Sequence, residues 1–427
     1  VANALQTATL ITNEVIRIAH NNSAFLGNMN TDYEPMWKGK YAPGSTIYAR
    51  RPVQFTIRNG AAANVQDITE STVPLVVNPE LGIDFAVSDY DLTTAVRSDG
   101  SIDKAFRERF LKPAGLRIAA EVDLQIGTLV KNAVANFVGT PGTGPSTFLQ
   151  VAEAQVPMDN NACPRDGLRY AAFNPTANAA LVGGFSGLFN AGSQISQNFK
   201  KGVLQDALGL GIMMSQNVPT HTVGPLGGTP LVNGLQGIIN AGATDNPYAA
   251  TTSLVTDGWT SAAALRLRKG DVFTIGSGAT GVFAVNPETK QSTGALQNFV
   301  VTADASSDGS GNATIVISPA IIAGGAYQNV TQRAADNAAI TVVTGTASTA
   351  YSQNILWHRD AITFVSPEME LPGGMDMAAQ SSLADEGSIS LRFVRGFDIV
   401  NNRRISRFDV LWAAAVTKPE WCTRRTS

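Results

Sequence analysis

Apolar residues recur at helical spacing over Ser101–Val138. Leu111, Ile118, Val122, Ile126, Leu129, Ala133 and Phe137 fall on one side, with Lys, Arg, Glu and Asp on the other. Ser101 can cap the start, Asp103 suits the first turn, and Gly139 followed by Pro141 stops the run. Pro113 either kinks this helix or marks its true start, because an interior proline removes a backbone donor. Uninterrupted, the helix would be roughly 55 Å long at about 1.5 Å per residue. Sustained heptads with charge pairs, which a coiled coil needs, are missing. The pattern predicts a spine along an elongated, sheet-bearing domain.

Upstream, Ala4, Ala8, Ile11, Val15 and Ile18 alternate spacings of four and three, which predicts one amphipathic helix within residues 1–30. It must dock on its own subunit or on another to be stable. From Met36 to Val77 the period changes to two. Val53, Phe55 and Ile57 are answered by Val73, Leu75 and Val77 across an Asn59-Gly60 tip. A long two-stranded hairpin results, marginal without a surface to lie on. Arg50, Arg51 and Arg58 face Asp67 and Glu70 as surface charge or as pairs between copies. Ile83, Phe85 and Val87 give another strand.

Past the GTPGTGP break at Gly139–Pro145, Leu168–Phe173 reads as a strand. Asn174-Pro175 then opens a helix with Ala177, Leu181, Phe185 and Leu188 inward. Leu210–Asn217 is a further strand. Between about Val223 and Ala350 helical patterns vanish. Short runs (Asp271–Ile275, Val282–Val285, Phe299–Thr302, Thr314–Ile317, Ile340–Thr344) alternate with turn residues, as in an inserted antiparallel barrel or sandwich. Long strands return at Ile355–Val365, Ser388–Val400 and Ile405–Val416, the last two joined by Asn401-Asn402. They are expected to sit against the spine and complete its sheet.

Composition narrows the function classes. Net charge is -3, which marks no polyanion binder, and the two cysteines, Cys163 and Cys422, form no disulfide framework. No apolar run approaches a membrane span, and the first basic residue is Arg17, so a soluble, cytosol-made chain is expected. The literal GxGxxG at Gly276–Gly281 is followed by another strand pattern, not by the helix that a dinucleotide site requires. His20, His221 and His358 are scattered without ligand spacing, and Asp304, Asp308 and Asp336 belong to turns. No catalytic, cofactor-binding or metal-binding residue is identified, and an enzyme is not expected.

Several stretches carry a resemblance. Ala172–Pro175 (AFNP), Met214–Gly224 (MSQNVPTHTVG), Lys269–Ile275 (KGDVFTI), Asn354–Ile362 (NILWHRDAI) and Arg407–Trp412 (RFDVLW) through Lys418-Pro419-Glu420 resemble the major capsid proteins of tailed phages with the HK97 fold. Within these, the chain is most similar to the P22 coat-protein family. The resemblance implies an α+β, HK97-like capsid fold with an N-terminal arm (1–35), an extended hairpin or E-loop (36–80) and a peripheral domain with the spine helix (81–138). It further implies an axial domain (139–222), an inserted antiparallel β-barrel (223–350) and a return to the core sheet (351–427). It implies self-assembly into pentamers and hexamers of an icosahedral double-stranded DNA phage head, a virion location and synthesis in the host cytoplasm. Scaffolding protein, portal and packaged DNA are the implied partners, with no membrane. An encapsulin-like compartment around an enzyme cargo is the alternative. A shell that condenses its genome by charge usually needs a basic arm. Residues 1–16 carry neither Lys nor Arg, so only weak DNA contact is expected.

Overall fold

The computed structural model describes residues 2–33, 46–63, 65, 70–77, 80–87, 107–184, 208–239, 246–248, 252–373, 377–382, 389–398 and 403–427. They form two units. One comprises Val1–Ala49, Pro74–Ile126 and Ile362–Ala415, the other Arg50–Val73, Gly127–Ala361 and Val416–Ser427. Few helices and many strands make the chain α+β, as expected.

In the first unit, α1 (Ala2–Asn22) buries Ile11, Val15 and Ile18 of the predicted seam together with Ile16 and Ala19; the side chains of Ala4 and Ala8 lie outside those described. Strands β3 (Leu81–Val87), β20 (Met377–Ser382), β21 (Ser390–Asp398) and β22 (Arg403–Val410) form an antiparallel sheet in the order β20-β21-β22-β3. Leu391 pairs with Val410 and Phe393 with Phe408. The Phe408 ring also lies 5.0 Å from Phe393 and 5.7 Å from Phe85. The helix lying along β20 and β21 is α1. The arm therefore gains burial within its own chain, because its stripe is wide enough to cover a sheet.

The spine ends earlier than expected. A π-helical turn at Arg107–Leu111 leads into α2 (Lys112–Ala133), so Pro113 falls in the first α-turn, where its missing donor costs nothing. The proposed cap at Ser101 and Asp103 lies outside the described residues. At the far end the helix stops before Phe137. The Asn136 side chain donates to the carbonyls of Glu420 (3.0 Å) and Cys422 (2.9 Å), and β4 (Phe137–Val138) pairs in parallel with Arg424 and Arg425. Leu111, Ile118, Val122 and Ile126 are buried as predicted, and Val130 is fully buried where Leu129 was expected. Asp123, assigned to the polar side, is buried too. Its carboxylate accepts from the Ser23 hydroxyl and from the Ala24 amide (2.9 Å). Burial outweighs these hydrogen bonds and pushes its pKa up to about 6.

In the second unit a mixed sheet runs β4-β24-β18-β5-β6, with β7 pairing β18. Its strands are β5 (Arg169–Phe173), β6 (Gly211–Met214), β7 (Thr220–Thr222), β18 (Ala350–His358) and β24 (Cys422–Thr426). The expected strand Ile355–Val365 is thus broken at Arg359–Ala361, and β19 (Ile362–Val365) pairs β23 (Ala413–Val416) in the other unit. The expected strand Ile405–Val416 likewise splits into β22 and β23. A helix that the pattern missed, α3 (Phe148–Asn160), packs on β24. Thr147 and Gln150 close a reciprocal capping box at its start. Pro157, a residue that reads as a breaker, sits inside its last turn and hid the helix. Asn174 caps α4 (Pro175–Gly184) as predicted, its Oδ1 accepting from Ala177 at 2.7 Å; Phe185 and Leu188 lie outside the described residues.

Between β7 and β18 lies an all-β stretch: β8 (Gly228–Val232), β9 (Thr252–Trp259), β10 (Ala264–Leu267), β11 (Val272–Ile275), β12 (Phe283–Val285), β13 (Ser292–Leu296), β14 (Phe299–Val301), β15 (Ala305–Ser307), β16 (Ala313–Ser318) and β17 (Ile340–Val342). The five strands anticipated there are all present. A six-stranded sheet orders as β17-β11-β14-β16-β9-β8. Its two ends approach, with Leu231 bridging Ala339 and the Val232 amide donating to Ala338 at 3.0 Å. Leu254, Trp259, Phe273, Phe299, Ile315 and Ile317 fill its core.

Candidate functional site

The side chains of interest are those that stay exposed against their chemistry and those that fix them. The hairpin is the first. Its ladder joins β1 (Thr46–Arg50) to β2 (Thr72–Val76) and reaches Arg51, whose amide donates to the Ser71 carbonyl at 2.9 Å. Pro52 then offers no donor, and the ladder ends one residue before the predicted strand Val53–Ile57. The paired segment is therefore earlier than the alternation suggested. Beyond it, Phe55 is 57% exposed, Ile57 98% and Val65 88%; Tyr48 and Val76 on the paired strands are also exposed. Arg50 lies 3.4 Å from Glu70. Asp67 lies outside the described residues.

Arg51, read as a surface charge, is buried. Its Nη1 donates to Asn246 Oδ1 at 3.3 Å and lies 3.9 Å from the Glu420 carboxylate, while its guanidinium faces the Tyr248 ring at 5.6 Å. Burial raises the Glu420 pKa, and the Arg51 charge beside it pulls the other way. Asn246, Tyr248 and Glu420 border a cleft of about 260 Å³ with Gln54, Tyr327, Lys418 and Trp421 on its walls. Lys418 Nζ rests 3.7 Å from the Trp421 ring centroid.

The third cluster lies where the all-β stretch leaves and rejoins the sheet. Asp271, fully buried, accepts from the amides of Gly224 (3.0 Å) and Arg268 (2.7 Å) and from Thr344 Oγ1 (3.2 Å). His221 Nε2 is 2.7 Å from the same carboxylate. Burial lowers the His221 pKa in spite of that partner. Arg424 is enclosed as well, donating from Nη1 to the Gly270 carbonyl at 2.9 Å, and burial pulls its pKa down to about 9. One carboxylate thus ties His221 and Gly224 at the start of the all-β stretch to Arg268 within it and Thr344 near its end.

The motifs weighed in the sequence resolve as turns and pairs. Gly278–Thr280 is a 3-10 turn leading into β12. His358 sits 3.1 Å from Asp166. Asp308 accepts from the amides of Ser310 and Asn312, Asp304 from that of Lys269, and Asp336 from that of Gly234. Among the described residues no three His, Cys, Asp or Glu gather as a metal site, and no helix is long and apolar enough to cross a membrane.

Sequence composition could have flagged the exposed ribbon but not the buried clusters, whose members are far apart in the chain. Comparison with known proteins supplies the rest. The chain is similar to a solved structure of Mycobacterium phage Che8 at 14% identity, covering 93% of this chain and 89% of that one, with a TM-score of 0.42. For the capsid of cyanophage P-SCSP1u the figures are 12%, 90%, 83% and 0.39. For the mature capsid of bacteriophage PhiM1 they are 11%, 95%, 86% and 0.39. No curated protein matches. At such TM-scores these likenesses decide nothing, and the assignment rests on the family model described as "P22 coat protein - gene protein 5", which matches residues 2–423. The chain belongs to the P22 coat protein family and is a major capsid protein that forms a phage head shell.

Proposed function

We propose that this chain builds the icosahedral head of a tailed, double-stranded DNA phage from pentamers and hexamers, on an HK97-like layout with residues 223–350 as an inserted barrel. The observation that carries the reading is the ribbon: Phe55, Ile57 and Val65 stand in water on a segment whose ladder has already ended. Such side chains gain burial only against another surface, and a neighbouring copy supplies one of roughly 2,000 Å² per obligate contact. The near-closure at Leu231 and Ala339 supports the barrel. In this reading the peripheral domain takes 81–138, the axial domain 139–222 and the returning sheet 351–427, with 1–35 and 36–80 as arm and E-loop. Scaffolding protein and portal are its assembly partners, and synthesis takes place in the host cytoplasm. The family match does not favour the encapsulin-like compartment.

With a net charge of -3, the shell holds its genome by confinement, not by neutralising phosphates. Nuclease-treated, purified chain is expected to form closed particles by size-exclusion chromatography and negative-stain microscopy, with scaffolding protein added where needed. Particles that appear only when nucleic acid is supplied would overturn the proposal.

A further inference from the structure

We infer that Asn246 and Lys290 of the inserted stretch clamp the root of the ribbon through Arg51 and Gln54, and so set the direction in which its exposed apolar residues project. Asn246, itself buried, touches both legs. Its Oδ1 accepts from Arg51 on the outgoing leg (3.3 Å), and its Nδ2 donates to Ser71 Oγ on the returning leg (3.2 Å). The Arg51 amide joins the legs through the Ser71 carbonyl. Three residues on, Lys290 Nζ donates to Gln54 Oε1 at 3.3 Å and to the Ala326 carbonyl at 2.5 Å. Lys290 is held in place by its own turn, in which Asn286 Oδ1 accepts from the amides of Glu288 (2.9 Å) and Thr289 (3.0 Å).

The clamp falls where support is needed. The ladder stops at Pro52, and a two-stranded ribbon is marginal by itself. Burying the Arg51 guanidinium is costly unless it is partnered. Its partners, Asn246 Oδ1, the Tyr248 ring and Glu420, are available in one orientation of the ribbon root. Arg51 is thus a positioning residue: the side chains that meet a neighbour lie beyond it. The link to assembly rests on the shell reading, whereas the clamp itself is a property of the single chain.

Spin labels at Ile57→Cys and Asp308→Cys test it in the unassembled full chain, since Cys163 and Cys422 are buried. The native pair is expected to give one narrow distance distribution by double electron–electron resonance. Asn246→Ala and Lys290→Met should each raise the displaced population about tenfold, the effect of one lost hydrogen bond to a charged group. Far-ultraviolet circular dichroism should be unchanged, and the variants should form mis-sized shells where the native chain forms uniform ones. If one variant fails to fold, the other is read the same way. Distributions as narrow in both variants as in the native chain would overturn the clamp. A native chain that shows the clamp but never forms shells would sink the shell reading and leave the clamp standing.

Discussion

Asp123 is a carboxylate in the middle of an apolar stripe, and its environment makes a pH prediction. Its ordinary pKa is 3.8 and its folded value is about 6 because burial disfavours the charge. Between those values the folded chain holds a proton that the unfolded chain releases. Its contribution to stability is therefore full below about pH 4, falls as pH rises through the window and stays reduced above about 6. Asp123→Asn removes that dependence. Urea unfolding of both chains from pH 4 to 7 should show the stability difference moving on the order of 3 kcal/mol in favour of the asparagine chain. Parallel curves would mean that Asp123 titrates normally.

Helix packing in the first unit turns on one small residue. A Cβ built at Gly115 of α2 would stand 3.0 Å from Ile18 Cγ2 and 3.0 Å from the Val15 carbonyl of α1. Glycine is unfavourable inside a helix, yet here it permits close approach. Gly115→Val should destabilise the chain by about 2 kcal/mol through overpacking, read as a lower urea midpoint with the slope unchanged. An unchanged midpoint would show that α1 yields freely. The arm is thus a packed element of its own unit, the first of the two dockings that its sequence left open.

For the molecule as a whole, the most exposed large apolar side chains among the described residues, Ile57 and Val65, stand on the ribbon. Phe55→Ser with Ile57→Ser changes surface that the single chain leaves in water, so stability should move by no more than about 0.5 kcal/mol. Assembly should fail under conditions where the native chain forms shells, as seen by sedimentation. Normal shells from the double variant would remove the ribbon from the contact set. Truncating Asp271 acts differently, because that carboxylate joins Gly224 near the start of the all-β stretch to Thr344 near its end.

Local pattern alone determined α1, the body of α2, β3, β5, α4 and the five anticipated strands of the all-β stretch, because each is a run of apolar or alternating residues bounded by turn or cap signals such as Asn174-Pro175. Tertiary structure decided the rest. Whether Phe137 and Val138 continue a helix or join a strand depends on Arg424 and Arg425, nearly three hundred residues away. Those two arginines made β24 illegible, since a buried charge looks like a surface one until its partners are known. Asp123, Arg51 and Asp271 were hidden for the same reason. A hydrophobic pattern records only how a residue partitions between water and apolar surroundings, whereas a buried ion is held by donors and acceptors that the fold brings together from distant parts of the chain.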